Sequence, residues 1–335
     1  MHKLILTLLL LLPALATAKD VVTQGAGGGI NWTQGYVWAE GYGVARDSVA
    51  DHKKRLLARR AATVDAYRNL AEFMDGVRVS SETVVKDMKL ESGSVRTRIE
   101  ALVKGALLVK DHYQNDVAQV TMRIYFDGDF SSAINRQAMQ RSKPSSYRFF
   151  DDALSELAAY GEVIRRFGMA PAFAASADGR LIQSGSDLEM ANRLLQQAEH
   201  TDPQQLIRRL QTDADSYRES TAYTGLLVDA RSVSNFELAT IPRIRDPEGN
   251  IIYPMEELFN TTLAAKRPVS YDFNMEDAIR NDRIAATPFI IKAQSTFKSR
   301  RSDLVISAEA ARFLSSNSSI MEVINNAGVL IVVAE

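Results

Sequence analysis

The spacing of apolar and polar residues changes several times along the first half of the chain, and each change marks an element. Over residues 32–44, Tyr36, Trp38 and Tyr42 take one parity, while Val37, Ala39, Gly41 and Gly43 take the other. That period of two predicts a strand with a bulky face and a face suited to close approach. From 49 to 74, Val49, Leu56, Leu57, Ala61, Val64, Tyr67, Leu70, Ala71 and Met74 recur at steps of three and four. They predict a helix, about 39 Å long at about 1.5 Å per residue. Ser48 is placed to cap it, and Gly76 to end it. Three strands are then expected, at 77–86, 95–110 and 117–126. The second has the longest alternation: Val95, Thr97, Ile99, Ala101, Val103, Gly105, Leu107 and Val109 on one parity, with Arg96, Arg98, Glu100, Lys104 and Lys110 on the other. The order is strand, long helix, antiparallel meander.

Residues 127–150 read as a boundary, with Arg136, Arg141, Lys143 and Arg148 around Pro144. Helical spacing returns at 151–167 and 186–200, and a polar, partly helical stretch follows to 220. A further domain begins near Ala222. Strands are expected at 223–229, 241–245, 250–253, 289–297 and 303–307, with the turn Asp246-Pro247-Glu248-Gly249 between the second and third. Short helices are expected at 255–265, 275–284, 308–314 (capped by Ser307) and 320–325. The last run, from Gly328 to Val333, is apolar throughout and fits a buried central strand. The fold class expected is α+β: an N-terminal long helix on an antiparallel meander sheet, a helical middle segment, and a C-terminal domain with a mixed sheet of α/β type.

Composition narrows the function classes. The chain has 335 residues, with 40 Lys+Arg against 41 Asp+Glu and a net charge of -1. It lacks the basic surplus by which nucleic-acid binders replace phosphate counterions, so no nucleic-acid partner is expected. It contains no cysteine, which excludes disulfides, thiolate metal sites, cysteine nucleophiles and an acylated N-terminal cysteine. Residues 1–18 combine Lys3, an apolar run from Leu4 to Leu12, and Ala16-Thr17-Ala18. This is the pattern of a secretory signal peptide, too short for a stable span; an uncleaved anchor is the alternative. Cleavage after Ala18 leaves 317 residues and removes Lys3, so 39 basic face 41 acidic residues. The expected location is the periplasm, with no transmembrane span and no lipid anchor. Residues 19–31 then form a glycine-rich leader, read as a flexible tether. Gly25, Gly27, Gly28 and Gly29 are not followed by the Gly-Lys-Ser/Thr of a phosphate loop.

No motif specifies a reaction. Ser295 and Lys298 have the Ser-x-x-Lys spacing of penicillin-recognising enzymes, but the segment reads as a strand, where positions three apart face opposite sides. Asp127 and Asp129 lack the further ligands of a calcium loop and read as a strand-ending turn. His52 and His112 have no ligand at metal-binding spacing. Asp229 and Arg231 follow an apolar strand directly. They read either as an ion pair organising the loop towards Pro242 or as a clamp for an anionic ligand.

Two stretches together resemble the lipoprotein-20 family of bacterial envelope proteins, which includes the flagellar protein P group. One runs through Ile30, Asn31, Trp32, Gly35, Tyr36, Glu40, Gly41, Tyr42 and Gly43 to the Arg59-Arg60-Ala61-Ala62 helix. The other holds Tyr223 to Arg231, Pro242, Asp246, Gly249, Pro288 to Lys292 and Asp303 to Ser307. The resemblance implies a domain at 32–130, a helical connector at 131–220 and a C-terminal domain at 221–335. It also implies a non-enzymatic structural or assembly role in the envelope, at the flagellar basal body or outer membrane. Expected partners are further copies of the chain or other envelope proteins, and no cofactor, catalytic residue or metal ligand is implied. Trp32, Gly35, Gly41, Gly43, Asp229, Arg231, Pro242, Asp246 and Pro288 are the residues expected to matter for structure or interaction. The alternative function is a periplasmic binding module for a small ligand or cell-wall material, using the cleft near Asp229. Self-association is expected through sheet edges, the long strand above all, or through the exposed face of the long helix, with Lys104 and Lys110 limiting uncontrolled strand pairing. A strand bent at Gly105 and fully paired in its own sheet is the alternative.

Overall fold

The computed structural model describes residues 19–46, 50–141, 189, 191–196 and 202–335. The signal peptide expected at 1–18, the cap expected at Ser48, the part of the expected boundary from 142 to 150 and the helix expected at 151–167 lie outside the described residues. The protein is α+β. In chain order, the first part contains β1 (Val22–Gly25), β2 (Gly28–Asn31), β3 (Tyr36–Val44), α1 (Asp51–Asp75), β4 (Arg78–Ser80), β5 (Thr83–Val84), α2 (Val85–Glu91), α3 (Gly93–Lys104), β6 (Leu107–Gln114), β7 (Val117–Tyr125) and α4 (Ser131–Arg141). One antiparallel sheet has the order β1-β2-β3-β7-β6, and β4 pairs with β5.

The long helix lies on the inner face of this sheet because both surfaces are small there. Ala58, Ala62, Ala66, Leu70 and Met74 are fully buried along α1. An added Cβ at Gly41 would collide with the backbone of Ala62 and Ala66, and one at Gly43 with that of Ala58 and Ala62. The two glycines therefore allow the helix backbone to approach the strand. Gly76 ends α1, its N–H donating to Glu72 and Phe73 carbonyls.

Three expectations are corrected. Residues 95–110 do not form one long strand: they divide into α3 and β6, joined at Gly105, whose N–H donates to the Ala101 and Leu102 carbonyls. Ser92 caps α3 by accepting from the Val95 N–H. Lys104 thus stands on a helix, and only Lys110 stands on the strand. Residues 77–86 form the two short strands β4 and β5 and the start of α2. The glycine-rich leader is not a tether: it is the β1–β2 hairpin, turning at Gly27 with φ +79°. A Cβ on Gly28 would meet the Trp38 carbonyl at 2.5 Å and the Phe73 ring at 2.6 Å, so close packing accounts for that glycine.

α5 (Pro203–Ser220) belongs to a separate compact unit over residues 143–221 and is amphipathic, with Leu206 half-buried and Ile207 and Leu210 exposed.

From 222 on, the chain contains β8 (Gly225–Asp229), β9 (Arg243–Arg245), β10 (Ile251–Tyr253), β11 (Ser270–Asp272), α6 (Met275–Ile279), β12 (Pro288–Lys292), β13 (Ser295–Phe297), β14 (Arg300–Val305), α7 (Ala308–Ser316), α8 (Ser318–Asn325) and β15 (Val329–Val332). Residues 256–260 form a 3-10 turn rather than the start of a longer helix, and α6 stops at Ile279 instead of 284. One sheet, β11-β15-β8-β12, is parallel throughout; the other, β10-β9-β14-β13, is mixed. β15 occupies a central place, and all four of its residues are buried. Ser307 caps α7 through the Ala310 N–H.

The described residues up to 141 and those from 222 on belong to one compact unit. Two seams join them. In the first, the Trp32 indole packs between Phe126, tilted by 50°, and Tyr271, edge to face, at centroid distances of 5.9 and 6.0 Å. Arg267 donates to the Trp32 and Thr33 carbonyls at 2.8 and 2.9 Å. In the second, the Ile241 N–H donates to Val79, and Ser81 donates to Asp303 at 2.6 Å.

Candidate functional site

The residues singled out from the sequence do not gather into one place. Trp32 and Gly35 belong to the first seam. Gly35 has φ +71°, and a Cβ there would collide with the Arg267 guanidinium. Burial and the neighbouring Arg283 pull Arg267 down to a pKa of about 10, and Asp127 partly offsets this at 3.4 Å. Gly41 and Gly43 lie beneath α1. Asp246 closes the β9–β10 hairpin by accepting from the Asn250 N–H and side-chain amide, each at 2.7 Å, while Gly249 supplies φ +97°. Pro242 precedes β9. Pro288 opens β12, an edge strand, where a missing N–H is tolerated.

Asp229 and Arg231 do meet. Arg231 Nε and Nη2 bind the two carboxylate oxygens at 2.9 and 2.8 Å, and the Arg231 N–H adds a third contact at 3.2 Å. Hydrogen bonding from Arg231 holds the Asp229 carboxyl below its ordinary range despite partial burial. The pair sits at the C-terminal ends of the parallel strands, a usual ligand position in such sheets. Here each charge uses its best donor or acceptor on the other, so the geometry is that of a closed loop staple.

Sequence reading passed over the Arg245–Asp303 pair. Its atoms stand 2.7 Å apart, with side-chain exposures of 5% and 2%. Arg245 also donates to the Gly249 carbonyl, and Asp303 accepts from Ser81. The alternation of Arg243-Ile244-Arg245 on a short strand was the available signal. The pair stabilises the second seam and has no open side.

Residues 225–335 are similar to the family described as Treponema pallidum Tp0624, second domain. This Tp0624-like stretch begins at β8 and holds both four-stranded sheets, including Asp229, Arg231 and the Arg245–Asp303 pair. It covers about a third of the chain and leaves out the N-terminal sheet and α1. No curated protein matches the chain.

Outside the Tp0624-like part, the prominent surface feature is the free edge of the N-terminal sheet. β6 pairs with β7 on one side, from Leu107 opposite Arg123 to Gln114 opposite Val117. No described strand pairs with its other side. Leu107, Leu108 and Val109 are 56, 46 and 44% exposed. The register slips between Leu108 and Lys110, so Val109 forms a bulge and the apolar triplet addresses both faces. α1 lies alongside: Arg59 pairs with Asp111 at 2.8 Å, and Tyr67 donates to the Lys104 carbonyl. The helix adds exposed Leu56, Leu57 and Val64.

Proposed function

We propose that this is a non-enzymatic periplasmic envelope protein that assembles with further copies of itself, and that β6 is a contact strand. The observation that supports this is the run of three exposed apolar residues on a strand with an unpaired backbone. A free edge offers N–H and C=O groups to another chain, and apolar side chains there favour leaving water. The Val109 bulge and Lys110 restrict the register and oppose open-ended sheet growth, which makes the contact selective. The resemblance of residues 30–62 to the lipoprotein-20 family gives the envelope reading, and a flagellar basal body or the outer membrane is the setting it suggests. Without a cysteine to acylate, attachment there runs through protein contacts.

Light scattering on the chain from Lys19 to Glu335 tests the proposal. A mass of two or more chains at micromolar concentration is expected, with Val109→Lys shifting it to one chain at an unchanged melting temperature. A monomer at all concentrations, or an assembly indifferent to Val109→Lys, rejects it.

A further inference from the structure

The face of the N-terminal sheet turned away from α1 carries a second unassigned surface. Register places Tyr36 opposite Tyr125, Trp38 opposite Arg123, Arg123 opposite Leu107, and Tyr42 opposite Gln119. Tyr42 and Tyr125 are 51 and 43% exposed, and Trp38, Tyr36 and Arg123 are half-buried. A Cβ on Gly29 would stand 3.4 Å from Trp38 Nε1, so the indole lies beside the β2 backbone with no side chain between them.

Arg123 is at the centre. Its guanidinium carbon stands 3.8 Å from the Tyr36 ring centre and 5.8 Å from that of Tyr125. Nη1 donates to the Tyr125 hydroxyl at 3.1 Å. Nε is buried and has no hydrogen-bond partner. Among the described residues no carboxylate pairs with Arg123 or with the exposed Lys110 on the same face. Two acids border this surface, and both are engaged: Glu40 accepts from Tyr42 at 2.8 Å and from Gln119 at 3.1 Å, and Asp20 accepts at 2.7 Å from the Asn31 amide that also donates to the Tyr36 hydroxyl. The surface therefore combines aromatic rings, fixed polar groups and an uncompensated guanidinium.

We infer that this face binds a carboxylate-bearing polysaccharide, with sugar rings stacked on Trp38 and Tyr125 and the acid group held by Arg123, which the Tyr36 ring supports from beneath. Charge complementarity selects an anionic partner, and an Arg fork suits a carboxylate. Tyrosine and tryptophan rings offer apolar faces with polar edges, as a sugar's mixed surface requires. Glu40, Tyr42 and Gln119 give the face a polar border. Nucleic acid is the other polymer with rings and negative charge. It is disfavoured because phosphate binding needs several cations, whereas this face supplies two in a chain of net charge -1. The inference stands independently of self-assembly at β6.

The test is titration of the chain from Lys19 to Glu335, followed by calorimetry and tryptophan fluorescence. The probes are peptide-free strands of alternating N-acetylglucosamine and N-acetylmuramic acid, chitin oligosaccharides of equal length, and a single-stranded oligonucleotide. Trp32 is buried and Trp38 half-buried, so ligand-induced quenching is expected from Trp38. Arg123→Gln should weaken binding of the muramic strands about tenfold, and the carboxylate-free chitin should bind about tenfold more weakly than they do. Arg123→Gln should leave the melting temperature unchanged. If that variant unfolds, the exposed Tyr125→Ser on β7 decides, with about threefold weakening expected. No binding at millimolar strands, equal affinity for chitin, affinity unmoved by the deciding variant, or tighter binding of the oligonucleotide would each overturn the inference.

Discussion

Single residues in this protein act mostly through what they allow to come close. Gly41 is the clearest case, since its missing Cβ leaves room for the α1 backbone at Ala62 and Ala66. Gly41→Ala must push helix from sheet, and overpacking of this kind costs about 3 kcal/mol. Urea denaturation should show that loss as a lower midpoint with an unchanged slope. Arg231 acts by attraction instead. Its pairing with Asp229 is partly exposed, so Arg231→Ala should cost only about 1 kcal/mol. The sign with pH follows from the depressed Asp229 carboxyl. A group held low in the folded state adds stability above its unfolded pKa and loses it as pH falls through the folded one. The difference in melting temperature between wild type and Arg231→Ala should be full at pH 7 and shrink below about pH 4. A ligand clamp would instead lose a measurable ligand while the melting temperature stayed constant.

At the scale of elements, periods that coincide decide what can be read. Val95, Ile99 and Val103 are buried on α3 at steps of four, but a step of four also satisfies a period of two. The run therefore fits a strand template as well as a helix. The straight-chain Arg96, Arg98, Glu100 and Lys104 between them favour a helix, and Ser92 and Gly105 supply its caps. Those local signals decide between the templates, and weighing them against alternation alone gives the structure observed. α1, with 25 residues, was legible in span to within two residues at either end, but not in face: Leu56, Leu57, Ala61 and Val64 of the expected apolar stripe are exposed, and Ala58, Ala62 and Ala66 are buried with Leu70 and Met74, because the glycines of β3 admit only small side chains there. Gly25, Gly27, Gly28 and Gly29 were opaque for another reason. Close approach of Gly28 to Phe73 is a tertiary fact, and flexibility and tight packing use the same residue. Capping gives the next prediction. Ser307→Ala removes the acceptor for the Ala310 N–H and should cost about 1 kcal/mol, read as an earlier thermal midpoint. Ser307→Asp should restore it.

For the whole molecule, the seams matter more than any one element. Arg267 reaches Trp32 across 235 positions, and Ser81 reaches Asp303 across 222. No periodicity reports such pairs, so the sequence singled out Trp32 and Gly35 without showing what they touch. The buried C-terminal run was legible, because four consecutive apolar residues suit a central parallel strand. Removing residues 328–335 takes out the strand between β11 and β8. The truncated chain should fail to fold, seen as loss of the cooperative melt. On the surface, β6 carries the central claim of assembly. The chain has no cysteine, so Val109→Cys can be labelled uniquely with a benzophenone maleimide and irradiated, with Glu276→Cys on α6 as the reference position. The account predicts covalent dimers from position 109 and only monomer from position 276. Monomer from both, or equal dimer from both, would contradict it.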